Sequence, residues 1–164
     1  GPQAAIRNLY KDKVNMLCET HKTRPELLER ARSIFTNLGM QLREIEPIAH
    51  DRHIAYVSHL SHITSFMLGK TVMEKEEDEQ NIFDMAGSGF SSTVRLAKSS
   101  PEMWMPIFKQ NKHNVIETLD EYISNMEYFK SLLANDDYTT LVEEMKKINT
   151  ITHILKPETK TNGK

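Results

Sequence analysis

Four of the seven histidines, His50, His53, His59 and His62, crowd into one stretch, PIAHDRHIAYVSHLSHITSFMLGKTVMEKE, residues 47 to 76. An imidazole changes charge near neutral pH, so it can move a proton, hold an anion when charged, or ligate a metal when neutral. Each chemistry needs different company. Two His-x-x-His pairs, His50/His53 and His59/His62, have the spacing of a metal clamp. No Cys-x-x-Cys or His-Glu-x-x-His accompanies them, and the lone cysteine, Cys18, lies far away in sequence. His50-Asp51 could share in a two-metal centre only with further His and Asp ligands on other helices, a pattern that is not evident. The plain alternative for each histidine is a hydrogen-bonded place in the core or at its rim.

The element that must position these side chains reads as one long helix. No Gly or Pro interrupts residues 48 to 68, and Ile54, Val57, Leu60, Ile63, Met67 and Leu68 recur at helical steps of three and four. Such a helix would span roughly 40 Å and serve as a central post. Asp51, Ala55, Ser58 and His62 then share one polar stripe on an otherwise apolar rod.

Ahead of it, KVNMLCE (13 to 19) is a short apolar run, and KTRPELLERARSIFTNLG (22 to 39) carries helix signals. Thr23 with Glu26 has the form of a capping box, Pro25 sits in the first turn and Gly39 is a C-terminal stop. MQLREI (40 to 45) alternates like a strand with one covered face. Strand, helix and strand in about 33 residues imply a right-handed crossover and a parallel pair. Two parallel strands cannot bury both faces alone, so the unit reads as the end of a larger α/β sheet, with the chain beginning partway through a domain.

Beyond the long helix, EKEEDEQ (74 to 80) reads as a solvated helix end or loop and residues 81 to 86 as a turn of helix. In AGSGFSSTVRLAKSSPEMW (86 to 104), Gly87 and Gly89 permit backbone angles closed to other residues, and Phe90 to Lys98 allows a short helix. A glycine bend entering a helix is a generic anion site, but a plain turn is the commoner use of such glycines and the preferred reading. Ser100 as N-cap and Pro101 as first residue predict a second long helix to about Ala134, with Met103, Ile107, Phe108, Val115, Leu119, Ile123, Met126, Phe129 and Leu133 on one face. Asn135, Asp136 and Asp137 break it. A last helix is expected over 138 to 155, stopped by Pro157 ahead of a polar tail.

Composition narrows the classes. The 164 residues are 38% hydrophobic and 27% charged, with net charge −2, as expected of one globular domain or a domain plus a fragment. Lysine and arginine total 21 against 23 acids and are interspersed along the chain, so no nucleic-acid partner is implied. No apolar run could cross a bilayer and no signal peptide opens the chain, so no membrane partner is expected. A single cysteine fits the reducing cytoplasm.

At the level of whole blocks, HDRHIAYVSHLSH, then AGSGFSSTVRLAKSSPEMW, then MPIFKQNKHNVIETLD resemble the C-terminal helical dimerisation domain of the prephenate dehydrogenase family. The strand-helix-strand lead-in resembles the close of that family's Rossmann domain. The resemblance covers about residues 1 to 155. It implies a mainly α fold, similar to the C-terminal domain of 6-phosphogluconate dehydrogenase, over residues 47–155. Residues 1–46 become a Rossmann remnant and 156–164 a polar tail.

The resemblance also implies roles. The family's Ser-His-Leu-Pro-His block stands here as Ser58, His59, Leu60, Ser61 and His62, placing His62 near substrate with Ser58 one turn earlier and His59 beside them. Arg95 matches the arginine that would bind a substrate carboxylate, which suits a planar two-pronged guanidinium and the dicarboxylate prephenate. His50, Asp51, Gly89 and Trp104 match flanking positions, and for Asp51 and Trp104 a structural role in helix capping or core packing stands beside a direct role in the site. Ser61 replaces the family's proline, and Ser92 and Val94 stand where many members have Asp and Thr. The implied reaction is NAD(P)-dependent oxidative decarboxylation of prephenate to 4-hydroxyphenylpyruvate in tyrosine biosynthesis, with arogenate as the alternative substrate. The cofactor fingerprint and catalytic histidine belong to a domain not within these residues, so no catalytic residue and no metal site is expected here. The chain alone would be inactive and would form a homodimer. A purely structural dimerisation module is the non-catalytic alternative.

Overall fold

The computed structural model of the chain describes residue 3 and residues 5–155; the polar tail and the stop at Pro157 lie outside the described residues. The chain divides into two compact units, Gly1–Ile116 and Glu117–Lys164.

The first unit opens with the expected crossover. Strand β1 (Val14–Leu17) and strand β2 (Gln41–Glu44) pair in parallel, Val14 opposite Gln41 and Leu17 opposite Glu44, across helix α1 (Pro25–Asn37). Gly39 ends α1 with φ 80°; the Met40 N–H reaches the Phe35 carbonyl at 3.1 Å and the Gly39 N–H that of Thr36 at 2.9 Å. That pattern caps the last carbonyls through a left-handed residue, which glycine adopts without strain. The capping box does not form. Proline at the first helical position makes Arg24 the cap residue, without a side-chain cap, and leaves Thr23 in extended backbone. Arg32 ties α1 to β2 by pairing with Glu44. Val14, Met16, Leu27, Ile34 and Leu38 all remain exposed, so this small sheet leaves much of its apolar surface uncovered.

The histidine-rich segment is helical throughout, from Pro47 to Glu79, but it is not one uniform α-helix. Helix α2 (Pro47–Ile54) passes through a π-helical turn, Ala55–His59, into helix α3 (Leu60–Glu79). In that turn the Leu60 N–H reaches back five residues to the Ala55 carbonyl. One extra residue is thereby held in the helix, the kind of widening often found beside functional sites. The charge run closes α3 as a solvated helix end, where the Glu76 carboxylate accepts the N–H groups of Asn81, Ile82 and Phe83.

After a 3-10 turn at Phe83–Met85 comes helix α4 (Ser88–Thr93), then a second 3-10 turn, Arg95–Lys98. Gly87 and Gly89 do not serve as expected. Gly87 is extended (φ −83°), Gly89 sits inside α4, and a Cβ added at either would meet nothing within 4 Å. Helix α5 (Pro101–Gln110) begins as read, its cap Ser100 accepting the Met103 N–H at 3.3 Å. The second long helix is not continuous, because Asn111 (φ −103°, ψ 25°) separates α5 from α6 (Lys112–Ala134).

In the second unit Leu132 and Leu141 are the buried apolar side chains among the described residues. The turn at residues 135 to 137 ends α6, with Asp136 at φ 54°. Asp137 then caps helix α7 (Tyr138–Ile148) by accepting the Thr140 N–H at 3.1 Å. The expected helix over 138 to 155 is two pieces, α7 and the short α8 (Ile151–Ile154).

Candidate functional site

The first turn of α3 carries His62, whose Nδ1–H donates to the Ser58 carbonyl at 2.9 Å. The π turn supplies that acceptor, and beside it Ser61 Oγ donates to the Val57 carbonyl at 3.1 Å. Ser58 thus enters the site through its backbone. With Nδ1 engaged, Nε2 is the atom of His62 left to meet a ligand, as acceptor when the ring is neutral and as donor when it is charged. The other ring neighbour is Trp104 of α5, with centroids 3.6 Å apart and planes 32° apart.

His59 is packed deeper, at 5% exposure. Trp104 and Phe108 meet it edge-on at 5.9 and 6.2 Å. Asn111, at the α5–α6 break, donates its side-chain N–H to the Asp51 carbonyl at 2.7 Å and to His59 Nδ1 at 3.3 Å. Asn114 in turn donates to Asn111 Oδ1 at 2.6 Å. Because Nδ1 accepts, the His59 proton resides on Nε2. Burial pushes the His59 imidazole below its ordinary value, the neighbouring His62 charge adds to this, and Asp51 opposes it. His59 is therefore a neutral ring that orders the site. His50 Nδ1–H donates to Asp51 Oδ1 at 3.0 Å, and both side chains line a cavity of about 230 Å³ with His59, Gln110 and Asn111. A second cavity, about 320 Å³ and almost wholly apolar, is lined by Ile63, Phe66, Trp104 and Phe108 among others.

Arg95 begins the second 3-10 turn, which packs on α3. Its side chain is exposed and makes no hydrogen bond or ion pair among the described residues. The backbone beside it is fixed instead. Ser65 Oγ, on α3 and at 3% exposure, donates to the Thr93 carbonyl at 2.6 Å. Gly89 lies four residues before Thr93, its carbonyl accepting the Thr93 hydroxyl at 3.0 Å.

Of the eight residues singled out in the sequence, His50, Asp51, Ser58, His59, His62 and Trp104 form one connected cluster. Arg95 and Gly89 stand on the segment that packs beside it, and no hydrogen bond joins Arg95 to His62. Asn111 and Ser65 were missed. Asn111 carried a signal, since asparagine's short amide competes for backbone groups and favours helix breaks. Ser65 is one serine among several on its helix and carried none. Among the described residues no group of three or more His, Cys, Asp or Glu is placed to hold a metal ion, and no helix is long and apolar enough to cross a membrane.

Residues 46–147, which hold this whole cluster, match the family described as prephenate dehydrogenase, dimerization domain. The chain belongs to that family. It is 25% identical over 146 residues to the prephenate dehydrogenase of Bacillus subtilis, a match covering 89% of this chain and 39% of that protein. The cyclohexadienyl dehydrogenase of Zymomonas mobilis is 24% identical over 147 residues, covering 89% of this chain and 50% of the relative. The chain therefore spans half or less of the curated relatives it matches. Among solved structures, prephenate dehydrogenase from A. aeolicus in complex with hydroxyphenyl propionate and NAD+ superposes with a TM-score of 0.86 at 29% identity. That superposition covers 95% of this chain and 55% of the other. Synechocystis arogenate dehydrogenase gives 0.78 at 26% identity, over 89% and 53%. The family accounts for the mainly helical fold read from the sequence.

Proposed function

We propose that this chain is the substrate-binding and dimer-forming half of an NAD(P)-dependent prephenate dehydrogenase. The observation that carries the reading is the pairing of two basic groups on elements packed together. Arg95 offers an exposed guanidinium with no partner among the described residues, and His62 has one nitrogen engaged and one to spare. A dicarboxylate ring needs two such groups, a two-pronged donor for one carboxylate and a positioned imidazole near the other end. Ser58 and His59 hold His62 in register, while His50, Asp51 and Trp104 support them. Gly89 belongs to the helix leading to Arg95.

No glycine lies between β1 and α1 or between β2 and α2, whereas a Rossmann phosphate turn requires a glycine-rich strand-to-helix link. The cofactor, NAD or NADP, is therefore assigned to a nucleotide-binding domain of which residues 1–46 form the closing part. The uncovered apolar faces of β1 and α1 support this. Residues 47–155 are the helical domain, and 156–164 a tail. The catalytic histidine is assigned to the same nucleotide-binding domain, so the 164 residues alone should show no prephenate-dependent NADH formation. Measurable turnover by the purified chain would refute that division of labour.

In the complete enzyme, Arg95→Ala should raise KM for prephenate by about 10- to 150-fold, the value of one charge-assisted hydrogen-bonded pair. An unchanged KM would leave only a structural dimerisation role. Arogenate is the second reading, favoured by the Synechocystis structure. Arg95 would serve either substrate, and comparing kcat/KM for the two decides between them. A homodimer in the cytoplasm completes the proposal: exposed Met103, Met105, Met126 and Phe129 await cover, and exposed Cys18 suits a reducing compartment.

A further inference from the structure

We infer that Ser65 is a positioning residue for substrate recognition, aiming Arg95 through the backbone of the segment that carries it. This rests on the reading of Arg95 as the carboxylate-binding group. Nothing on the side chain of Arg95 holds it, since it has no ion pair or hydrogen bond among the described residues. What the fold fixes is therefore the position of its Cα, from which the guanidinium reaches. The main chain there is a junction between two helical forms: α4 ends at Thr93, Val94 sits at φ −88°, ψ 7°, and the 3-10 turn begins at Arg95. Helices leave their last carbonyls without helical donors.

The Thr93 carbonyl finds its donor on another element, the Ser65 hydroxyl at 2.6 Å, 28 residues earlier in the chain and almost fully buried. Ser65 follows His62 by three residues, so the same stretch of α3 carries one binding group and anchors the other. One turn further on, Gly69 lies beside the 3-10 turn, where an added Cβ would stand in ordinary contact, 3.9 Å from that of Ala97. The juxtaposition makes the spacing between imidazole and guanidinium a property of α3. Removing the hydroxyl leaves a carbonyl unpaired beside a buried site, which favours a shift of the junction. A shifted junction costs binding of a ligand that must be gripped at two points.

The test is a set of kinetic measurements on the complete enzyme. Ser65→Ala should raise KM for prephenate about fivefold to tenfold, with kcat within about twofold and KM for the dinucleotide unmoved. Ser65→Thr, which keeps the hydroxyl, should restore most of the loss. Thr71→Ala removes a hydroxyl that bonds only within its own helix and should leave KM unchanged. The deciding readout is kcat/KM in an Arg95→Ala background, where Ser65→Ala should add less than twofold because its route of action is gone. Equal effects in both backgrounds, or no effect of Ser65→Ala while Arg95→Ala raises KM, overturn the inference and leave the proposed function standing. An Arg95→Ala enzyme with unchanged KM overturns both. Should the alanine variant fail to fold, Ser65→Cys keeps the volume with a far weaker donor and is read the same way.

Discussion

His62 lies against Trp104, ring centroids 3.6 Å apart and planes 32° apart, and the indole is itself buried at 7% exposure. The imidazole proposed to meet the substrate is thus braced by a core residue. Its orientation is shared with the packing of α3 on α5.

Truncating that brace should cost both stability and binding. Trp104→Ala is expected to destabilise the fold by about 3–5 kcal/mol, measured by urea unfolding, and, under the proposed function, to raise KM for prephenate in the complete enzyme. Trp104→Phe should recover most of the stability, because the buried indole N–H has no hydrogen-bond partner among the described residues to lose. As the sole tryptophan, Trp104 also makes intrinsic fluorescence a probe of His62.

His59 predicts a pH dependence of stability. Burial first, and the His62 charge second, lower its value from the usual 6.5. Below 6.5 the unfolded chain binds a proton that the folded chain refuses, so stability rises with pH through the window beneath 6.5 and is complete above it. Thermal unfolding temperature should fall as pH drops from 7.5 to about 5.5. His59→Asn should flatten the slope while lowering stability throughout. Asn111→Asp would place a carboxylate at His59 Nδ1, favour the charged ring and weaken the slope without removing the side chain's bulk.

Gly39 carries the chain from α1 into β2 at φ 80°, and an added Cβ would stand 3.3 Å from the Lys11 Cα. Gly39→Ala should destabilise the lead-in by about 1–2 kcal/mol, the cost of a left-handed backbone at a residue with a Cβ. Hydrogen exchange of β1 and β2 amides would localise the effect.

Sedimentation of the purified chain should give twice the 19.0 kDa monomer mass. Among the described residues only Ala55, Trp104, Val115, Leu132 and Leu141 are buried apolar side chains. A folded chain of this length ordinarily hides many more, and a second copy can cover the remainder. A species of 19.0 kDa at micromolar concentration would count against the dimer.

Much of this fold is legible because its signals are local. Gly39, Pro25, Ser100 with Pro101, and the 135–137 break each mark an element end through backbone chemistry that needs no tertiary contact. Where reading went astray, long-range contacts or a neighbouring rule decided. Thr23 looked like a cap, yet proline at the first helical position assigns that place to Arg24. The residues Ala55 to His59 have nothing in their types to exclude an ordinary helix, and the bonds from His62 to Ser58 and from Asn111 to Asp51 accompany the wider turn. At Asn111 the apolar pattern runs on through Ile107, Phe108 and Val115, so periodicity hid the interruption. The site's residues were found through blocks of sequence, but their sorting was not. Both His59 and His62 meet Trp104, and that one is buried edge-on against Trp104 and Phe108 while the other stacks follows from the packing of α5, which the sequence does not spell out.

The count of residues, rather than their names, sets what the arrangement around the π turn can bear. An α-helix advances about 100° per residue, and the π turn at Ala55–His59 takes up one residue more than a regular turn would. Deleting Tyr56 or Val57 would let the rod heal into regular form with little rotation, so His62 and Ser65 would keep their places against Trp104 and Thr93 while His50 and Asp51 stayed near Asn111. The same deletion further along α3, between Ser65 and Glu79, has no bulge to absorb it and would swing everything beyond it by about 100°. A shortening by one residue is thus a change the rod should tolerate better inside the π turn than in the regular helix that follows.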